Sequence, residues 1–382
     1  MKRAIIYSIL IFFCLAIGFL AGYLVRGEFP TQADEPFPVL RQAYRILLQN
    51  GLQEIPSIRE LEYGMIRGML QVYADPYSIF VEPAQHELES NNLEGSFWGI
   101  GVDLKKNDDG KVVLNPLPNS PAEKAGLLDG DQLFAVDDLV VEMETTIESI
   151  QAALRGNEGE AVSLTIGREP DFSPIKMEVV REFFTLPSTT SEIHPEEKRL
   201  GIVSVNLIAA STPDEILEAF NSLRNQGATH FILDLRDNSG GLLTAGIDTA
   251  RLFLKDGAII QQQYKGKGIQ TISVDKPGEL VDVPLIVLVN HNTASAAEII
   301  AGALKQKGRA WLIGESTYGK DSIQLVFDLD DGSSLHITSA KWWIPGLNPS
   351  PEGEGIQPDL LVPESTESRD SMIESARRYF FP

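Results

Sequence analysis

The chain has 382 residues, a hydrophobic fraction of 43% and a formal net charge of −22. Its length predicts roughly two or three domains of ~100–200 residues each. Its acidic balance argues against nucleic acid as a partner, because such binding needs a basic face. The single cysteine, Cys14, lies in an apolar N-terminal stretch, so the rest of the chain has no disulfide, cysteine nucleophile or cysteine-type zinc site.

Residues 1–26 are predicted to form a signal-anchor transmembrane helix. The stretch 4–25 has no charged side chain, and at ~1.5 Å per residue it reaches ~33 Å, enough to cross a hydrocarbon core of ~30 Å. Lys2 and Arg3 precede it, and the positive end stays in the cytoplasm. We therefore expect a single-pass protein of the cell membrane whose remaining chain is extracytoplasmic. A cleaved signal peptide is the alternative, although its apolar region normally has only ~7–15 residues.

A linker and a helical segment follow the predicted anchor. Residues 27–38 are rich in proline and charge, which is typical of a linker. Residues 39–94 are predicted to be mainly helical, since Ser57 and Glu60 have the spacing of a capping box and apolar side chains follow at helical intervals. Asp75-Pro76 ends this helical pattern.

Residues 95–182 have the pattern of a compact, mostly-β domain. Short strands alternate with turn signals such as Asp108-Asp109-Gly110. One short helix is predicted from Ser120 to Gly126, with a capping serine, a proline at its first position and a terminating glycine.

Residues 183–364 are predicted to form an α/β core, followed by a charged, peripheral tail at 365–382. The apolar runs THFILDLR, VPLIVLVN and RAWLIG read as strands covered on both faces, and a helical pattern follows each of the first two. The overall fold class is therefore a multidomain α+β or α/β protein with a membrane helix, a helical segment, a mostly-β domain and an α/β core.

Polar or glycine-rich loops follow three strands of the core. They carry the pair Gly240-Gly241, Ser295 at a predicted helix start, and Lys320 after a glycine. Ligands of α/β sheets bind at the carboxyl ends of the strands. A nucleophile, a base and oxyanion donors are what acyl transfer requires, so these loops are the candidate site.

Ser295 and Lys320 each have a purely structural alternative. Ser295-Ala296-Ala297-Glu298 is itself a capping box, so the serine could do no more than cap a helix. Lys320 could be a solvated turn lysine; it can serve as a base only if burial lowers its pKa, and Ile323, Leu325 and Phe327 are the predicted desolvating neighbours.

Histidines offer no better base and no metal site in this sequence. His291 lies four residues before Ser295, but no carboxylate pattern completes a triad around it. His86, His194, His230 and His336 are scattered, and no pair has metal-ligand spacing. We therefore predict no metal and no cofactor.

Several ordered motifs make residues from about 39 to 363 resemble the C-terminal processing peptidases, the carboxyl-terminal protease family of serine peptidases known as S41. The motifs are DPYS (75–78), FWGIG (97–101), NSPAEKAGLLDGDQL (119–133), DLRDNSGGLL (234–243), NTASAAEIIAGAL (292–304), GESTYGKDSIQ (314–324) and GIQPDL (355–360). The resemblance implies an S41 peptidase core of the crotonase/ClpP-like type.

The resemblance also implies roles for particular residues. It makes Ser295 the nucleophile, Lys320 the general base and Gln324 the residue that orients the lysine, with the N–H groups of Gly241 and Ala296 as the oxyanion hole. Two positions depart from the family pattern: Ala297, where serine is frequent, and Asp321, where glycine is frequent. A carboxylate at 321 that paired with Lys320 would raise the pKa of the lysine and weaken it as a base.

Residues 95–182 resemble a PDZ domain. Its peptide-binding stretch would be Phe97, Trp98, Gly99, Ile100, Gly101 and Val102, where glycines leave N–H groups free for a C-terminal carboxylate. The expected partners are protein or peptide substrates with apolar, unstructured C-termini, and the oligomeric state stays open. Two alternatives remain: a PDZ scaffold with an impaired peptidase core, and an amidase of the Ser-Ser-Lys type.

Overall fold

A computed structural model describes residues 37–107, 109–143, 145–347, 354–363 and 370–382. The predicted membrane segment at 4–25 and most of the linker lie outside these residues. Among the described residues, no helix has the length and apolar character needed to cross a membrane. The chain divides after Met69 into two compact units.

The first unit contains helix α1 (Pro38–Asn50) and most of helix α2 (Ile58–Tyr73), which crosses the division. The predicted capping box at the start of α2 is confirmed. The Ser57 N–H donates to Glu60 Oε2 at 2.7 Å, and the Glu60 N–H donates to Ser57 Oγ at 3.2 Å. These two bonds satisfy N–H groups that the helix itself leaves without partners.

The second unit begins with a short strand and a helix that lead into the mostly-β domain. In chain order its first elements are β1 (Ile79–Val81), α3 (Pro83–Glu94), β2 (Ser96–Gly99), β3 (Val102–Lys106), β4 (Val112–Pro116), α4 (Pro121–Lys124), β5 (Asp131–Val136), β6 (Leu139–Val140), α5 (Ile147–Leu154), β7 (Ala161–Gly167), β8 (Pro174–Val180) and β9 (Glu182–Thr185). The antiparallel sheet has the order β3-β4-β5-β7-β8, with β6 beside β5, so β3 is an edge strand. Its core includes Ile100, Leu114, Ile150 and Leu164.

The remaining elements build the α/β core. They are β10 (Thr189–Ile193), β11 (Leu200–Val205), α6 (Thr212–Asn225), β12 (His230–Asp234), α7 (Leu243–Phe253), β13 (Ala258–Tyr264), β14 (Gln270–Ser273), β15 (Leu285–Val289), α8 (Ala296–Gln306), β16 (Trp311–Gly314), β17 (Ser322–Asp328), β18 (Ser334–Trp343), β19 (Leu360–Leu361) and α9 (Asp370–Phe380).

A six-stranded sheet of order β10-β11-β12-β15-β16-β19 forms the centre of this core. Its strands from β11 onwards are parallel, and β10 is antiparallel to β11. Both faces are covered, which explains the continuous apolar runs. Leu233 packs into the cluster that includes α7 and α8 residues, whereas Ile232 packs with Met372 of α9 on the opposite face.

A second, antiparallel sheet of order β1-β18-β13-β14, with β17 beside β18, was not predicted from the sequence. Its β17–β18 hairpin turns at Asp330-Asp331-Gly332. Strand β1 pairs with β18 through Ile79, Phe80 and Val81. The segment just before the mostly-β domain is therefore attached to the hairpin that begins directly after Lys320.

Candidate active site

One cavity of about 610 Å³ brings together the predicted catalytic and oxyanion residues. Ser295, Lys320, Gln324, Gly241 and Ala296 all line it. The loops after β12 and β15 supply Gly241 and Ser295, at the carboxyl ends of neighbouring parallel strands. Lys320 and Gln324 enter from the β17 side, and the end of α3 closes part of the wall with Glu89, Asn92 and Leu93.

Ser295 occupies a strained turn between β15 and α8. Its backbone has φ 55° and ψ −120°, a combination that L-residues rarely adopt and that costs on the order of 1–3 kcal/mol. The turn is fixed on both sides, because Thr293 Oγ1 donates to the Leu235 carbonyl at 2.8 Å and the Ala294 N–H donates to the Asn238 carbonyl at 2.9 Å. Such a strand-turn-helix corner presents a serine side chain at the top of a sheet.

The glycine pair approaches this turn closely. A side chain at Gly240, whose φ is 102°, would bring its Cβ to 2.8 Å from the Ser295 Cβ. A Cβ at Gly241 would lie 2.2 Å from the Ile208 carbonyl oxygen. The Ile208 N–H donates to the Gly240 carbonyl, and the Ile208 carbonyl accepts from the Leu242 N–H. These two hydrogen bonds form a β-bridge between Ile208 and Gly241 that does not use the Gly241 N–H. Buried Asn238, which the sequence analysis missed, accepts from the Gly240 N–H at 2.8 Å.

The Lys320 side chain is half-buried, and its amine is hydrogen-bonded to Gln324. Its Nζ donates to Gln324 Oε1 at 2.8 Å and lies 5.3 Å from the centroid of the Tyr77 ring. Burial lowers the pKa of Lys320 below its usual value, and the nearby charge of Glu298 partly opposes that shift. An amine in this position is favourable for a base that must be neutral.

The burial of Lys320 has a source that the sequence did not reveal. Ile323 is buried and Leu325 lines the same cavity, as predicted, whereas Phe327 is 50% exposed and does not line it. The Tyr77 ring also lies over the amine. Tyr77 belongs to the DPYS motif and is brought here by the pairing of β1 with β18.

Asp321 does not pair with Lys320. Its Oδ2 accepts a hydrogen bond from Lys341 Nζ at 3.0 Å, and its backbone carbonyl accepts from the Trp342 N–H at 2.8 Å. The carboxylate is thus neutralised by a different lysine on β18. The departure from the family pattern at this position gives no reason to expect a weakened base.

The sequence predicts only a helix-capping role for Glu298, but the structure gives this residue further contacts in the site. It is 2% exposed and accepts four hydrogen bonds: from the Ser295 N–H at 2.9 Å, Thr317 Oγ1 at 2.6 Å, the Gly319 N–H at 2.8 Å and the Lys320 N–H at 3.0 Å. Burial raises the pKa of its carboxyl group, while these hydrogen bonds act in the opposite direction. Glu298 therefore ties the serine turn to the lysine loop.

Of the histidines, His336 lines the cavity. His291 is exposed and is not part of the cavity wall. His86 and His336, far apart in sequence, meet at Ser334, whose Oγ lies 3.0 Å from His86 Nδ1 and 3.1 Å from His336 Nε2. Within the described part of the chain, no group of three or more His, Cys, Asp or Glu residues is placed to hold a metal ion.

A serine in a strained strand-to-helix turn, a half-buried lysine amine and a glycine pair line one cavity, and these are kinds of group that serine hydrolases use. Residues 199–362 match the model of peptidase family S41, and residues 112–168 match that of a PDZ domain. These ranges lie inside the predicted domains 183–364 and 95–182, whose exact bounds stay predictions.

Relatives match along most of the chain. A carboxyl-terminal-processing protease from Picosynechococcus sp. is 36% identical over 336 residues, which cover 87% of this chain and 80% of that protein. The carboxy-terminal processing protease CtpA of Bacillus subtilis is 33% identical, with 86% and 71% covered. Among solved structures, the photosystem II D1 C-terminal processing protease is similar, with 30% identity, 86% and 87% covered, and a TM-score of 0.47.

The chain belongs to the carboxyl-terminal-processing proteases of peptidase family S41. It is a serine peptidase that combines a mixed α/β core with a PDZ domain.

Proposed function

We propose that this peptidase is a membrane-anchored, extracytoplasmic endopeptidase that cleaves proteins near their C-termini with a Ser295–Lys320 dyad. The observation that carries the proposal is the half-buried Lys320 amine, whose pKa is lowered by burial, in the same cavity as Ser295. A neutral amine can accept the hydroxyl proton, which an ammonium cannot.

The proposed reaction gives each of these residues one role. Ser295 Oγ attacks the scissile carbonyl carbon as Lys320 Nζ takes its proton, and the resulting ammonium gives the proton to the leaving amine. The N–H groups of Gly241 and Ala296 stabilise the oxyanion, each worth roughly 3–4 kcal/mol by comparison with similar donors. Water then attacks the acyl-enzyme with Lys320 again as base, and the serine is restored.

Substrate capture is assigned to the PDZ domain. Strand β3 is an edge strand, so an unstructured tail can add to it as a further strand. Phe97, Trp98 and Gly99 are already paired with β9, and Phe97 stacks on Phe184 with 5.5 Å between ring centroids. These three residues support the loop, and Ile100, Gly101 and Val102 lead from it to the open edge.

The experiment compares cleavage by the wild type and by the Lys320→Ala and Ser295→Ala variants. The substrate is an unfolded reporter protein with an apolar C-terminal tail, and fragments are identified by mass spectrometry. Both variants are expected to bind the tail and yield no fragments. Lys267→Ala, which changes an exposed lysine on the β13–β14 turn, is the matched control and should cleave as the wild type does. Undiminished turnover by Lys320→Ala would contradict the base assignment, and binding without cleavage by the wild type would favour a scaffold.

The membrane anchor is tested separately. The full chain is expected in the membrane fraction, and a chain in which a cleavable signal peptide replaces residues 1–26 is expected in the soluble extracytoplasmic fraction. If the full chain instead gave a soluble product of lower mass, this result would indicate a cleaved signal peptide.

A further inference from the structure

We propose that Asp75 is a positioning residue for the dyad. Its carboxylate fixes the shape of the Asp75–Ser78 turn. The Tyr77 carbonyl in this turn then fixes the orientation of the Gln324 side-chain amide. This inference rests on the proposed function, because it concerns the orientation of the proposed base, Lys320.

The two ends of the Gln324 amide have different hydrogen-bond partners. Its Nε2 donates to the Tyr77 carbonyl, and its Oε1 accepts from Lys320 Nζ at 2.8 Å. An amide turned the other way would place an oxygen against a carbonyl oxygen and an NH₂ group against the lysine. The Tyr77 carbonyl therefore selects the orientation in which Gln324 accepts from Lys320.

Hydrogen bonds to Asp75 hold the turn that contains the Tyr77 carbonyl. Asp75 Oδ1 accepts from the Tyr77 N–H at 3.3 Å, and Asp75 Oδ2 accepts from the Ser78 hydroxyl. The Ser78 N–H also donates to the Asp75 backbone carbonyl at 3.3 Å. An aspartate that bonds to backbone two residues further on is a recognised way of fixing a tight turn. Asp75 thereby sets the direction of the peptide groups around Tyr77.

The Asp75–Ser78 turn is also attached to the strand pair that carries Gln324. Ser78, which is 6% exposed, accepts a hydrogen bond from the Thr338 N–H at 3.2 Å. Thr338 is the β18 partner of Gln324 in the β17–β18 register. The turn and the amide are thus anchored to the same point of the antiparallel sheet, and the Tyr77 ring covers the amine that Gln324 holds.

Asp75 does not itself line the cavity, and we assign its effect to the path through the Tyr77 carbonyl and Gln324 rather than to the Tyr77 ring alone. This makes a double-mutant cycle the decisive experiment. In the full chain, kcat and KM are measured for Asp75→Ala, for Gln324→Ala and for the double variant, with the same apolar-tailed reporter. Asp75→Ala is expected to lower kcat by about 100-fold, the scale of a small misplacement of a catalytic group, with KM little changed.

If Asp75 acts through Gln324, its removal has no further effect once Gln324 is absent. The double variant is then no slower than Gln324→Ala alone, and Asp75→Asn, which keeps an acceptor for the Tyr77 N–H, recovers most of the lost rate. Effects that multiply in the double variant would overturn the inference, because they would show that the two residues act independently.

Asp331→Ala is the matched control. Asp331 Oδ1 accepts from the Ser333 N–H at 3.1 Å and the Ser333 hydroxyl at 2.5 Å, so it fixes a similar turn at the tip of the β17–β18 hairpin. Its removal is expected to leave kcat unchanged, and an Asp75→Ala variant as active as Asp331→Ala would contradict the proposal. If Asp75→Ala does not fold, Ser78→Ala replaces it in the same cycle.

Failure of this inference is distinguishable from failure of the proposed function. An active Lys320→Ala variant would refute the dyad itself. An inactive Lys320→Ala variant together with a fully active Asp75→Ala variant would refute only the positioning role.

Discussion

Replacing Glu298 with glutamine tests whether this carboxylate joins the two halves of the active site. The substitution keeps the shape of the side chain but exchanges one acceptor oxygen for an NH₂ group. Whichever way the new amide turns, only one of two donor pairs keeps its acceptor: Ser295 and Lys320 on Oε2, or Thr317 and Gly319 on Oε1. The other pair then faces a donor.

The magnitude follows from the number of bonds lost. Hydrogen bonds to a charged group contribute about 1.5–3 kcal/mol each, so two of them amount to roughly 3–6 kcal/mol. Removing a buried charge offsets part of this loss, since burial already raises the pKa of the Glu298 carboxyl. We expect a net destabilisation of about 3 kcal/mol, which lowers Tm by roughly 6–12 °C in a domain of this size.

Activity should fall further than stability alone requires. The four donors include the N–H groups of both proposed catalytic residues, so a local shift would change the position of Ser295 relative to Lys320. Misplacement of this kind costs about 100-fold in kcat. Both quantities are measured on the same preparation: Tm by circular dichroism, and kcat with the apolar-tailed reporter at a temperature where the variant is folded.

Glu215→Gln provides the matched control. Glu215 also accepts four hydrogen bonds: from the Ser188 N–H, the Thr189 N–H, the Thr189 hydroxyl and the Ser211 hydroxyl, at 2.6–3.2 Å. It does not line the cavity. This variant should lose stability and keep its kcat. If Glu298→Gln were as active as Glu215→Gln when folded, the idea that Glu298 aligns the dyad would be wrong.

Three further expectations concern the same cavity. Gly240→Ala should abolish turnover without preventing tail binding, because the new Cβ would lie 2.8 Å from the Ser295 Cβ; peptide binding and kcat measured together check this. The value of kcat/KM should rise with pH as Lys320 loses its proton, with a midpoint below the ordinary 10.5 because burial lowers that pKa; a pH profile with no such limb would argue against Lys320 as base. Asp321→Asn should change kcat less than about twofold, since the carboxylate pairs with Lys341 at the surface, where such pairs contribute about 0–1 kcal/mol; a large rate increase would show that Asp321 restrains the base.

Sequence reasoning located the site because its most informative signals are local. A buried apolar strand, a following polar loop and a helix start identify the turn at Ser295, and parallel strands bring such loops to one edge. The same rule places Gly241 next to Ser295, and the structure puts both in one cavity. The capping box at Ser295 was also visible, but its second use, the link from Glu298 to Gly319 and Lys320, requires contacts across 21 and 22 positions.

The antiparallel sheet could not be predicted in the same way. Strand β13 reads AIIQQQY, which has neither strict alternation nor a continuous apolar run, and β1 has only three residues. The pairing of β1 with β18 is therefore decided by tertiary packing rather than by local preference. For this reason the contact between Tyr77 and Gln324, 247 positions apart, was not predictable, and neither was the position of the Tyr77 ring over the lysine amine.

The two members of the proposed dyad are held by different sheets, and this division has a mechanistic consequence. Ser295 stands on a turn fixed to the parallel sheet through Thr293 and Ala294, whereas Lys320 precedes a strand of the antiparallel sheet. A displacement of about 1 Å between the sheets would cost about 100-fold in rate, as much as many direct substitutions. Glu298 holds the Lys320 N–H next to the serine turn, but β1 joins the antiparallel sheet just before α3 and the PDZ domain, so contacts remote from the serine also affect where the Lys320 amine lies. Catalysis should therefore respond to changes in the segment from Asp75 to Leu93 even though Ser295 itself is untouched.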